Sequence, residues 1–171
     1  METWDAIRAR RGEREFADRA IPREDLERIM EAARRSPSAS NKQRWDFVVV
    51  TDPARLEDLS KVWKGAGHVA GAAAAVALVA PTTDDPAEAR SIHYDLGQAT
   101  MSIMIAAADL GVASRHAGVR DHERAAEALA LPEDRTCAFL ISLGYPANRP
   151  LQPIQRPDRR AFTDVVHWER Y

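Results

Sequence analysis

The segment from about Ser91 to Leu110 limits the possible fold more than any other. Leu96, Ala99, Ile103, Met104 and Ala107 recur at helical spacing, and Gly111 ends the pattern. A helix of that length reaches about 30 Å, so it must cross a small domain with one face against another layer. The chain has 171 residues, which suits one domain, 1–171, with a real core.

The rest of the chain supplies the other layers. Thr3 can cap a first helix through about Arg10, with Trp4 and Ile7 on one face. Pro22 opens a second, in which Leu26, Ile29, Met30 and Ala33 keep the helical period. Leu56, Leu59 and Trp63 mark a short helix, and Asp121 caps another through Leu129. Trp45 to Val50 reads as a buried strand, Ser114 to Val119 as a short one, and Cys137 to Leu143 as a strongly apolar one. Ala74 to Ala80 fits strand or helix by apolarity alone, and Pro81 favours a strand that ends there. Ser36 to Asn41 and Thr82 to Glu88 read as loops. No repeat interrupts this alternation, which indicates a layered α/β or α+β domain.

Composition removes several function classes. Hydrophobic residues are 45% and charged residues 29%, as in a globular chain, and the formal net charge is -2. Such a charge gives no field for holding nucleic acid or an anionic membrane. The longest apolar run, Val69 to Ala80, is too short to span a bilayer, which needs about 20 residues. Met1-Glu2-Thr3-Trp4-Asp5 is unlike a secretory leader, and the lone Cys137 reads as a reduced, buried thiol; together they predict a cytoplasmic protein. His68, His93, His116, His122 and His167 never fall at metal-ligand spacing with acidic partners, so no metal is expected. No nucleophile elbow, P-loop or Gly-x-Gly-x-x-Gly occurs.

The last segment, 145–171, differs from the rest. Pro146, Pro150, Pro153 and Pro157 keep it extended, yet Val165-Val166-His167-Trp168 is apolar again. Such an arm should dock on its own domain or on a partner subunit.

Three basic or polar clusters are candidates for a site. Arg8, Arg10, Arg11 and Arg14 gather planar guanidinium donors at a helix end, which suits a phosphate, although an ordinary helix end paired with Glu13, Glu15 or Asp18 is the commoner reading of such a cluster alone. The loop from Ser36 to Asn41, with Gln43 beyond it, lets a planar ligand approach the backbone, or simply connects a helix to a strand. Arg156, Arg159 and Arg160 add charge to the arm.

Taken in order, these blocks resemble the nitroreductase family. The resemblance lies in Arg10-Arg11-Gly12-Glu13-Arg14-Glu15-Phe16, in Pro37-Ser38-Ala39-Ser40-Asn41-Lys42-Gln43-Arg44-Trp45, in Asp109-Leu110-Gly111-Val112, in Leu143-Gly144-Tyr145-Pro146, and in Arg159-Arg160 before the apolar end. It implies a three-layer α/β/α sandwich of the α+β class, with a mainly antiparallel sheet and a C-terminal arm exchanged in a homodimer. It also implies FMN at the dimer interface, with both subunits contributing to each site. Arg10 and Arg11 would then hold the flavin phosphate with the backbone at Gly12, and Arg14 would reach the ring or ribityl chain. Pro37, Ser38 and Asn41 would border the ring, Ala117 and Gly118 would face flavin N5, and Arg159 would close over the phosphate. Gln43 would support the loop. Gly12 stands where the family usually has serine, Glu13 where it has a small or apolar residue, and Arg44 where it has proline.

The implied chemistry is ping-pong electron transfer from NADH or NADPH to a small-molecule acceptor, with the flavin carrying it and no catalytic side chain required. The chain is short for the family, so an open site taking several nitroaromatics or quinones is expected, with Arg115 and His116 biasing it toward anionic ones. The same resemblance admits a flavin-dependent dehalogenase or a flavin-fragmenting enzyme. From another class, a non-catalytic flavin store or sensor remains open.

Overall fold

The computed structural model describes residues 1–171. Helix α1 spans Thr3–Ala9, α2 Arg23–Arg34, α3 Pro53–Ser60, α4 Pro86–Asp109 and α5 His122–Leu129. The strands are β1 Asp46–Val50, β2 Ala74–Pro81, β3 Ala113–Gly118 and β4 Arg135–Gly144. They form one sheet in the order β1-β2-β4-β3, antiparallel throughout.

Strand β2 is covered on both sides, which explains its continuous apolar run. Ala74, Val76, Leu78 and Ala80 pack with Leu26 and Ile29 of α2 and with Leu96, Ile103 and Met104 of α4. Ala75, Ala77 and Val79 face the opposite core, with Leu56 and Leu59 of α3 and Ala125 and Leu129 of α5. The period-two alternation of a strand therefore divides one apolar segment between two cores, and the molecule is a three-layer sandwich.

Helix α4 starts one and a half turns earlier than its apolar stripe suggested. Pro86 occupies the first turn, where a missing N–H costs nothing, and the Asp85 carboxylate accepts from the Ala87 N–H at 2.8 Å. The polar loop therefore stops at Asp85. At the other end Gly111 takes φ 74°, a left-handed turn that only glycine adopts without cost.

Three expectations change. Thr3 lies inside α1, whose cap is Glu2 without a side-chain bond, and Trp4 is 67% exposed while Ala6 and Ala9 carry the buried face. Strand β1 is an edge strand, with Val50 buried and Val49 exposed, because nothing pairs with its outer side. Trp63 falls beyond α3 in the turn that follows. Asp121 caps α5 as expected, accepting from the Arg124 N–H at 3.0 Å.

Candidate cofactor-binding site

Strand β3 would be a bare edge, and the arginine block covers it. Arg10 ends α1 with extended ψ of 122°, so the chain straightens as it leaves the helix. Gly12 bridges Ser114 in parallel, and the Glu13 N–H donates to the Ser114 carbonyl at 3.2 Å. Phe16 then bridges Pro146, and its ring lies on Gly144, where an added Cβ would sit 2.7 Å from the ring. This close approach explains why glycine follows Leu143 at the end of β4.

The arginines have separate fates. Arg11 donates to the carbonyls of Arg149 at 2.8 Å and Pro150 at 3.4 Å, strapping the arm to the domain. It also meets Glu13 at 3.4 Å, and the second Glu13 oxygen accepts from the Arg14 N–H at 3.1 Å. The acidic side chain inside the block is thus turned onto its own neighbours. Arg10 Nε is buried with no partner. Arg14 is exposed and makes no ion pair, whereas Arg23, Arg34 and Arg35 each meet a carboxylate within a turn of their own position.

Beside this edge opens a cleft of about 750 Å³. Arg14, Arg115, His116, Ala117 and Gly118 line it, with Thr82 and Thr83 after β2, Ile92 and His93 of α4, and Phe139 of β4. Trp63 forms a further wall, its ring folded onto Gly65, where a Cβ would be 2.2 Å away. Glycine at position 65 is therefore required by this close approach.

Behind the cleft, His68 is 9% exposed. Its Nδ1 lies 2.8 Å from the Ser142 hydroxyl, which donates to the Arg115 carbonyl at 3.2 Å. That chain assigns the proton to Nδ1 and leaves Nε2 bare, buried and without a partner. Burial, then the charges of Arg115, Arg14 and His116, push the imidazole down to about 4.

The loop after α2 is anchored on α4. Both oxygens of buried Asp95 accept from the Ala39 N–H at 3.1 Å, and Ser36 donates to the Ser102 hydroxyl at 2.8 Å. Ser40, Asn41 and Gln43 take left-handed φ of 51°, 54° and 49°, and the Gln43 amide donates to Asn41 Oδ1 at 3.1 Å. Gln43 supports the loop from within, as expected.

The cleft thus unites Arg14, Ala117 and Gly118, and Arg10, Arg11 and Gly12 lie along its adjoining edge. Pro37, Ser38 and Asn41 stand outside the cleft lining of their own chain. Arg159 is in the exposed arm, donating to the Asp158 carbonyl. Trp63, Gly65, Arg120 and Phe139 line the cleft without having been singled out. Each sits in an unremarkable turn or strand, and only the pairing of a tryptophan with a glycine two residues on was a signal.

Fold and site together define an α+β sandwich with an open cleft at the basic edge of its sheet. The chain belongs to the nitroreductase family, whose model matches residues 7–145, and it is an oxidoreductase by that membership. A protein of Archaeoglobus fulgidus, provisionally named NADH dehydrogenase/NAD(P)H nitroreductase, is 33% identical over 99% of both chains. A solved structure from Clostridium acetobutylicum, provisionally called an NADH oxidase, matches with TM-score 0.85 and 27% identity, covering 98% of this chain and 100% of that one. An FMN-dependent nitroreductase of Clostridium difficile shares the fold at TM-score 0.83 and 22% identity, covering 97% and 98%.

Proposed function

We propose that this protein binds FMN and passes electrons from NADH or NADPH to nitroaromatic, quinone or similar acceptors, working as a homodimer. The observation that carries this reading is the set of uncompensated cationic groups along the β3 edge. Arg10 Nε is an orphaned buried donor, and Arg14 and Arg115 lack carboxylate partners beside a cleft large enough for a planar ligand. A buried donor without an acceptor costs free energy, so an arrangement of this kind fits a phosphate-bearing group. The names of the Archaeoglobus and Clostridium relatives support the same cofactor and donor.

When bound, FMN would supply two-electron redox chemistry between the nicotinamide and the acceptor, in ping-pong order. The protein's own residues would bind and orient it. Arg10 would donate to the phosphate, the backbone at Gly12 would allow its close approach, and Arg14 would place positive charge near the ring. Ala117 and Gly118 line the cleft with side chains too small to obstruct a ring, and the backbone there would face it. Arg11 is bound to the arm through Arg149 and Pro150, so its part is to fix that edge, with any phosphate contact secondary. Pro37, Ser38, Asn41 and Arg159 complete the site from the second subunit, which accounts for their distance from their own cleft lining.

The purified protein should be yellow, with two flavin absorbance bands. NADH or NADPH should bleach them without oxygen, and a nitroaromatic or quinone should restore them. Varying both substrates should give parallel lines. A colourless protein that takes up no added FMN would sink the reading, and bound FMN that no nicotinamide reduces would make the protein a store.

A further inference from the structure

Gly12 and Arg115 are close neighbours. A Cβ added at Gly12 would lie 3.1 Å from Arg115 Nη1, so a side chain at position 12 would crowd the guanidinium. Position 12 lies in the block that covers the β3 edge, between Arg10 and Arg14, and Arg115 projects from β3 into the cleft. The guanidinium of Arg115 has no ion pair and donates no hydrogen bond, and Glu13, the carboxylate nearest in charge, is already engaged by Arg11 and the Arg14 N–H.

We propose that Arg115 is an anion-binding residue that reads the phosphate monoester of FMN across the space Gly12 leaves open. The inference rests on the FMN reading above and adds to it a residue that the family pattern of the arginine block does not contain. A planar fork of donors beside a backbone without a side chain suits a tetrahedral oxyanion better than a point charge would. The surroundings agree. Burial, then Arg14, lowers the Arg115 guanidinium below its ordinary range, with Glu13 opposing. Burial, and then the same cations, depress His68. Like charges held together in half-buried ground are relieved when an anion enters between them. Cofactor phosphate and an anionic substituent on the acceptor share this chemistry, and only the first is proposed.

The test compares FMN with riboflavin, which has the same ring and no phosphate, by fluorescence titration of the flavin-free full chain. Wild type should prefer FMN. Arg115→Ala should weaken FMN by about 10- to 100-fold and leave riboflavin unchanged, because it removes one charge-assisted contact. Arg115→Lys should recover part of the loss, and Gly12→Ser, which pushes the guanidinium aside, should also erode the preference. A general structural defect would weaken both flavins together and overturn the proposal. So would an Arg115→Ala protein that keeps the wild-type FMN-to-riboflavin ratio. A ratio that is kept while KM for a carboxylated nitroaromatic rises would assign Arg115 to the acceptor and also overturn it. Should the alanine variant not fold, the same ratio measured in Arg115→Gln decides. Wild type that binds neither flavin would remove the FMN reading itself, whereas wild type that is reduced normally with Arg115 inert removes this inference alone.

Discussion

His68 shows how one residue couples the site to stability. Its imidazole is neutral in the fold, with pKa pushed down to about 4 by burial and by Arg115, Arg14 and His116, against about 6.5 when unfolded. Below pH 6.5 the unfolded chain binds a proton that the folded chain refuses. The neutral-histidine contribution is therefore complete above about pH 6.5 and is lost as pH falls toward 4, with about 2 kcal/mol of it gone between pH 7 and pH 5. Urea unfolding at pH 7 and pH 5 should show that drop, and His68→Gln should flatten it; an unchanged drop in the variant would clear His68 of the effect. Nothing in the sequence marked this residue, since a lone histidine before an apolar run gives no hint of what folds over it. Cys137 was legible, because a single cysteine in an apolar strand reads as a buried thiol, and burial pushes it up to about 12. Arg14, Ala117 and Gly118 were legible as a motif, and the cleft unites them. Arg115 was legible as a charge biasing the site toward anionic acceptors but not as a neighbour of Gly12, because that closeness depends on strand pairing rather than on spacing.

The elements were legible wherever period and punctuation agreed. Helix α4 declared itself by its stripe and by Gly111, yet its first turn was hidden, because Asp85 and Pro86 spell a loop as readily as a cap followed by a first-turn proline. Strand β2 was ambiguous by apolarity because both of its faces are covered, while β1 read as buried and lies at the edge with only part of it covered; strand order is a tertiary fact that local sequence does not carry. The loop after α2 is the element whose local rule is most strained. Three residues other than glycine hold left-handed φ there, and Asp95 ties the loop to α4 through the Ala39 N–H. Asp95→Ala leaves that N–H without its acceptor and should cost about 1–3 kcal/mol. Amide exchange at Ala39 should accelerate well before the strands of the sheet open. Exchange that speeds equally in β2 and β4 would mean that Asp95 supports the whole core instead.

At the scale of the whole molecule, the exposed surface is larger than one chain of this size ordinarily shows. The accessible area is 10656 Å² for 19.0 kDa, whereas a compact monomer of that mass exposes roughly 8,400 Å². Much of the excess belongs to the arm beyond Leu151, where Phe162, Val165, Trp168 and Tyr171 are 65%, 51%, 78% and 105% exposed. Its first part is held, because Arg11 binds the carbonyls at 149 and 150 and the Ile154 N–H donates to the Arg8 carbonyl at 3.1 Å. The remainder has apolar side chains and no core of its own to enter. Large aromatic groups carry most of the energy of association, and an obligate dimer buries more than about 2,000 Å² in all, so in the proposed homodimer an arm laid across the second copy would account for both the excess area and the composition. The prolines and the apolar end made the extended, apolar character of the arm legible; its docking surface in the proposed homodimer was not, because local sequence does not carry it. Truncation before Pro157 should then release monomer in sedimentation velocity and lose flavin in the same fractions, since Arg159 leaves with the arm. A truncated protein that stays dimeric and yellow would show that the arm is dispensable, and a full-length monomer retaining FMN would show that one chain builds the site by itself.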